Sequence, residues 1–139
     1  MKTLALATAF LIATFASAQA CVISKFRKIE DVKKATFVLR GQVVDYVAGE
    51  GRQPATIRFK VVETLRGKPR EQVVASWLDR DFLTSTQWNL PTDLIVAATE
   101  NAQGSTGSEI QVLHERCSQP LMFEDSKEIM DAIKNALEH

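Results

Sequence analysis

The sequence predicts a mainly β domain: a small five-stranded barrel, with a short helix before the first strand and a longer helix after the last. Three observations carry that expectation. Residues 36–47 and 55–67 are two long stretches of β-branched and alternating residues joined by polar Ala48–Pro54, the pattern of a hairpin. Gly41 stands inside the first stretch in line with its apolar face, where a strand serving two parts of a closed sheet bends. A helical apolar period closes the chain.

Taken in order, Ile29, Val32 and either Ala35 or Thr36 are spaced for a helix of two turns leading into the first strand. In that strand Phe37, Leu39, Val43 and Val47 are expected on the core face. Val38, Val44 and Tyr46 lie opposite, beside Arg40 and Gln42. In the second strand Ile57, Phe59 and Val61 point inward and Arg58, Lys60 and Glu63 outward, with Val62 breaking the alternation. Arg66–Arg70 is a turn. A third strand over 71–78 buries Val73, Ala75 and Trp77, and 79–91 has no period, so Phe82 and Trp88 are expected to cap an end of the barrel. The apolar run Leu94–Ala98 is a fourth strand buried on both faces. After a Gly/Ser/Asn-rich loop, Ile110, Val112 and His114 alternate in a fifth strand running towards Cys117, and Pro120 ends the strand region. Asp125 as N-cap with Glu128 three residues on has capping-box spacing, and Ile129, Ala132, Ile133, Ala136 and Leu137 form the stripe of the last helix. This set describes an OB-like barrel. A β-sandwich fits composition and spacing too; Gly41, the low strand count and the closing helix favour the barrel.

The first twenty of the 139 residues read as a leader rather than as fold. Lys2 is followed by a run of about twelve largely apolar residues, well short of the ~20 that a spanning helix needs. Ala16-Ser17-Ala18-Gln19-Ala20 then offers cleavage after Ala18 or after Ala20. The expected product is a single exported domain, residues 21–139, periplasmic or secreted and without stable membrane insertion. Lys and Arg number 17 against 17 Asp and Glu, so losing Lys2 leaves a net charge of −1. That balance gives no basic excess for nucleic acid and no polybasic tail for a membrane surface. The two cysteines, Cys21 and Cys117, follow the leader into an oxidising compartment, where a disulfide is the expected state. Such a bridge would close nearly the whole mature chain, worth up to about 4–5 kcal/mol in the chain-entropy model. A lipid anchor on Cys21 is the competing reading.

The remaining chemistry-bearing residues form no catalytic constellation, and no enzyme activity is expected. There is no Cys-x-x-Cys, and His114 is read as a packing or hydrogen-bonding residue. No His, Asp or Glu set has metal-ligand spacing, so no bound metal or cofactor is implied. Trp77 and Trp88 are aromatic enough to stack on a sugar or a base, but core and barrel-end packing is the reading preferred.

Phe37-Val38-Leu39-Arg40-Gly41-Gln42-Val43-Val44, followed by Ile57–Gly67, resembles the start of the netrin-like fold. More narrowly the chain is similar to bacterial relatives of the tissue inhibitors of metalloproteinases. The likeness continues through Asp93–Ala98 and ends at Arg116–Leu121, ahead of the closing helix. The resemblance implies an OB-type barrel stapled to its own N-terminus. In the animal inhibitors the mature chain begins Cys-x-Cys, and the first amine and carbonyl chelate the target's catalytic zinc, while the next side chain enters the specificity pocket. Here one N-terminal cysteine is present rather than two, and the loop after the third strand, Ser85–Asn89, lacks the partner of the other. The resemblance therefore matches Cys21 to the second family cysteine, paired with Cys117, with Gln19 where the chelating cysteine would stand.

Two readings of the N-terminus follow. Cleavage after Ala18 exposes Gln19, whose cyclisation removes the basic amine. Cleavage after Ala20, the favoured cut, exposes Cys21 as a zinc-chelating N-terminus followed by Val22. The expected function is a protein-binding domain, inhibiting an extracytoplasmic metalloprotease through that end. The alternative is a non-inhibitory cell-envelope module for a glycan or peptide, with Trp88 as the ligand-contact aromatic.

Overall fold

The computed structural model describes residues 27–50, 53–78, 89–101, 109–115 and 118–139. A 3₁₀ helix over Ile29–Lys34 precedes β1 (Phe37–Val47), β2 (Ala55–Arg66), β3 (Gln72–Trp77), β4 (Thr92–Glu100), β5 (Glu109–Val112) and β6 (Met122–Glu124), and α1 (Lys127–Glu138) follows. β1 pairs antiparallel with β2 on one side and with β4 on the other. β2 pairs antiparallel with β3, β3 parallel with β5, and β5 antiparallel with β4. The order β1-β2-β3-β5-β4 thus returns to β1, and five strands close into a barrel with no open edge along that circuit. The long β1 makes this possible, because its first half reaches β4 while its whole length faces β2.

Gly41 sits where β2 crowds β1. A Cβ there would overlap the Lys60 carbonyl oxygen and lie 3.0 Å from the Phe59 ring. Gly67, in the turn after β2, has φ of +96°, and a Cβ would strike the Phe37 ring at 2.5 Å and the Thr36 carbonyl oxygen at 2.8 Å. At these two positions the chain approaches itself more closely than any side chain permits.

The barrel interior is filled from every strand of the circuit, by Phe37, Leu39, Val43, Ile57, Phe59, Val73, Ala75, Trp77, Val96, Ala98, Ile110 and Val112. The alternation expected of β3 and the continuous burial expected of β4 are both present. Three register shifts correct the expected faces of the hairpin. The pairing leaves Val44 as an extra residue on β1, and Val62 and Leu65 as extra residues on β2. The Val44 bulge reverses the pleat beyond it. Val47, expected in the core, is therefore 58% exposed, while Tyr46 turns inward and stacks on Trp77 with ring centroids 6.3 Å apart. The Val62 bulge explains the broken alternation, for that side chain is 68% exposed.

A second apolar layer lies outside the barrel. Val38, Ile95 and Ala97, on the other faces of β1 and β4, pack with Val32 and Ala35 from the first helix region, Leu121 and Phe123 around β6, and Met130 and Ile133 of α1. Met130 joins the expected helical stripe, buried with Val32, Ala35 and Phe123 in this layer. Two further expectations are corrected here. β5 stops at Val112, so His114 is not in a strand, and a sixth strand follows Pro120, pairing Met122–Glu124 with Val96–Leu94. The N-cap of α1 is Ser126, whose hydroxyl accepts the Ile129 N–H at 3.2 Å, and not Asp125. Asp125 is held elsewhere: both of its oxygens accept from Arg40 Nε, at 2.8 and 2.9 Å.

Candidate functional site

The residues that sequence reasoning singled out for function, Cys21, Val22, Trp88 and Cys117, lie outside the described residues, as does the disulfide expected between the cysteines. The structure does describe the segments that flank Cys117 in sequence. The first described residues meet the segment flanking Cys117 and β6 at one corner of the second layer.

That corner is built from local chemistry. Asp31 and Lys34 are three apart on the 3₁₀ helix, and Lys34 Nζ reaches Asp31 Oδ1 at 2.9 Å and Glu115 Oε1 at 3.0 Å. Hydrogen bonds to these two carboxylates raise the Lys34 pKa above the ordinary lysine value. Glu115 and Ser118 are locked together by three hydrogen bonds. The Ser118 N–H donates to the Glu115 carbonyl at 3.0 Å. The Ser118 hydroxyl accepts the Glu115 N–H at 3.0 Å and donates to its carbonyl at 2.7 Å. His114 Nε2 lies 2.7 Å from the Ser118 carbonyl oxygen, which can only accept, so that nitrogen carries the proton. Ser118 is buried, and these bonds satisfy it. Leu113 and Leu121 continue the tie, for the Leu121 N–H donates to the Leu113 carbonyl at 2.8 Å and the Leu113 N–H to the Ala97 carbonyl at 2.9 Å.

Arg27 completes the corner. Its guanidinium lies 5.3 Å from the centre of the Phe123 ring, a cation–π distance. The side chain keeps a solvent-exposed flank, yet contact with the ring desolvates the guanidinium and pulls its pKa down, opposed by the Glu124 charge. Neither effect removes the charge at physiological pH.

On the far side of α1 a second polar cluster ties the helix to the barrel. Arg40 bonds Asp125 as above and lies 3.5 Å from Glu63, which in turn lies 3.6 Å from Lys134. The Asp125 carboxylate raises the Arg40 pKa further. An open depression of about 360 Å³ beside it is lined by Glu63, Thr64, Leu65, Lys134, Leu137 and Glu138. Its central charges, Glu63 and Lys134, already face one another, so the cluster is a strap between layers.

Trp77 is 1% exposed in the barrel core and presents no surface to a ligand. Its indole N–H has no hydrogen-bond partner among the described residues. Among those residues no group of three His, Cys, Asp or Glu is placed to hold a metal, and no helix is long and apolar enough to cross a membrane. Sequence reasoning missed Arg27, Lys34 and Glu115. The Asp31/Lys34 spacing was a readable signal, but the partner Glu115 is 81 residues away and only folding reveals it. No protein-family model matches the chain, and no curated protein sequence matches it.

Proposed function

We propose that the protein is an exported, OB-like binding domain of netrin-like type that inhibits an extracytoplasmic metalloprotease through its mature N-terminus. The observation that carries the reading is the corner just described. The first residues of the domain are tied by Lys34 to Glu115 and by Arg27 to Phe123, on either side of Cys117 in sequence. A Cys21–Cys117 disulfide would fasten the end of the chain beside Glu115 and Ser118. The five-strand closure and the C-terminal helix support the OB-like assignment.

The chemistry follows from a cut after Ala20. The neutral α-amine and the carbonyl oxygen of Cys21 would occupy the open position of a catalytic zinc as a five-membered chelate. Val22 would enter the adjoining specificity pocket. The scaffold's contribution is preorganisation: an N-terminus already fixed loses little freedom on binding.

Two measurements test this. The mass of the exported protein, unreduced and reduced, reports the N-terminal residue, any cyclised Gln19 and the disulfide together. Inhibition of a panel of extracytoplasmic metalloproteases is then compared for the native protein and a form carrying one extra alanine before Cys21. The proposal expects a chain beginning at Cys21, bridged to Cys117, with inhibition abolished by the extra residue. Equal inhibition by the extended form, or inhibition by a chain beginning with cyclised Gln19, would refute chelation.

A further inference from the structure

We propose that the outer face of β1, β2 and β3 beyond the Val44 bulge is a self-complementary contact surface that joins two copies of this chain about a two-fold axis. The bulge creates the face. By strict alternation Asp45 and Val47 would share the core side of β1 with Val43, and the extra residue turns both outward. There they stand beside their register partners on β2, Asp45 next to Arg58 and Val47 next to Thr56, while Arg58 stands next to Val74 on β3. The Asp45 and Arg58 side chains are each more than half exposed and lie 3.6 Å apart, beyond the length of a tight charge-assisted hydrogen bond. Val47 and Val74 are exposed apolar residues on either side of them. A depression of about 110 Å³ is lined by Asp45, Val47, Thr56, Ile57, Arg58 and Val74.

The strand register indicates the occupant. A two-fold axis running along the strands, above the line between β1 and β2, exchanges those two strands between facing copies. It sets Asp45 of one copy over Arg58 of the other and Val47 of one copy over Thr56 of the other, and each contact is made twice. Opposite charges then meet across the axis, and a valine meets a threonine methyl beside the depression. A strongly acidic or strongly basic partner would meet one like charge for each unlike one. Overall charge does not oppose the pairing either. Losing Lys2 leaves 16 of the 17 basic side chains against 17 acidic ones, too even a balance for long-range repulsion between copies. The helical layer packs on Val38, at the other end of β1. The face is small, so the dimer is a weak, exchanging one.

Sedimentation equilibrium of the exported protein from about 10 µM to about 1 mM tests this, the range in which a small transient interface associates. The weight-average mass should rise from one chain towards two and stop there. Asp45→Arg leaves a face with two bases and Arg58→Asp one with two acids, so each variant alone should associate at least about tenfold more weakly than the parent. An equimolar mixture of the two variants should recover the parent's association, because every contact between positions 45 and 58 across the axis then joins opposite charges. Val47→Asp sets a charge against Thr56 and should weaken association by a similar factor. All three side chains are exposed, so the circular dichroism of each variant should match the parent. A parent that remains a single chain at about 1 mM would overturn the proposal. So would charge-reversed variants that associate like the parent, or a mixture that associates no more than its parts. Growth beyond two chains would do the same, because it marks a contact that does not close.

Discussion

Replacing Gly41 with alanine tests the barrel closure directly. The added Cβ overlaps the Lys60 carbonyl oxygen, a backbone atom that cannot rotate away, and presses on Phe59 at 3.0 Å. Ordinary carbon–oxygen contacts lie near ~3.3–3.6 Å, so β1 and β2 must part by about 1 Å locally. A ladder bond stretched by that much falls outside hydrogen-bonding distance. On the other side β1 is held against β4 by the Gly41–Leu94 pairing, so it cannot shift freely. Overpacking of this kind costs about 1–3 kcal/mol, and a buried backbone pair left unmade adds about 1–3 kcal/mol. The lower backbone entropy of alanine in the unfolded chain returns about 0.5–1 kcal/mol. The expected loss is about 3 kcal/mol, a large share of the ~5–15 kcal/mol that holds a domain of this size folded. It should lower the melting temperature by roughly 10–20 °C. Urea unfolding followed by circular dichroism, with Gln42→Ala as the neighbouring control, measures it. A Gly41→Ala protein within about 1 kcal/mol of the parent would refute the closeness of the β1–β2 crossing.

Two further predictions concern the charged and capping groups. Ser126→Ala should cost about 1 kcal/mol through the lost cap. Asp125→Ala should destabilise the protein through the lost hydrogen bonds to Arg40, an effect that solvent screening keeps small. In a double-mutant cycle the Asp125→Ala loss should therefore shrink once Arg40 is alanine; an unchanged loss would return Asp125 to a capping role. Lys34 gains two carboxylate partners on folding and its pKa rises, so its contribution is complete below the unfolded lysine value of about 10.4. That contribution is lost as pH climbs through the higher folded value. The difference in urea midpoint between the parent and Lys34→Met should hold steady from neutral pH and close only on the alkaline side. A difference that has vanished by mildly alkaline pH would contradict the pairing.

Much of the barrel was legible in the sequence, for identifiable reasons. Val73, Ala75 and Trp77 alternate without interruption, and β3 has no bulge to disturb them. Ile95–Ala98 is apolar on both faces because barrel and helix layer each claim alternate residues. Gly41 was expected to mark a bend and instead marks where β1 and β2 come closest. The faces of Tyr46 and Val47 were misread because a bulge is a property of two paired strands, and Val44 alone gives no sign of being unpaired. β6 is three residues long and follows a proline, too short for any period to show. Ser126 and Asp125 are both good caps by residue type, and a contact between Arg40 and Asp125, 85 positions apart, decided between them. At the corner beside Cys117, Arg27, Lys34 and Glu115 emerged only when distant segments met.

β4 has a consequence for how the molecule comes apart. Val96 and Ala98 look into the barrel and Ile95 and Ala97 look into the helical layer, so one short stretch of backbone is a party wall between two rooms. Neither room can be emptied while the wall stands, and neither keeps its shape once the wall falls. The two cores should behave as one cooperative unit, without a state in which α1 has drifted away from an intact barrel.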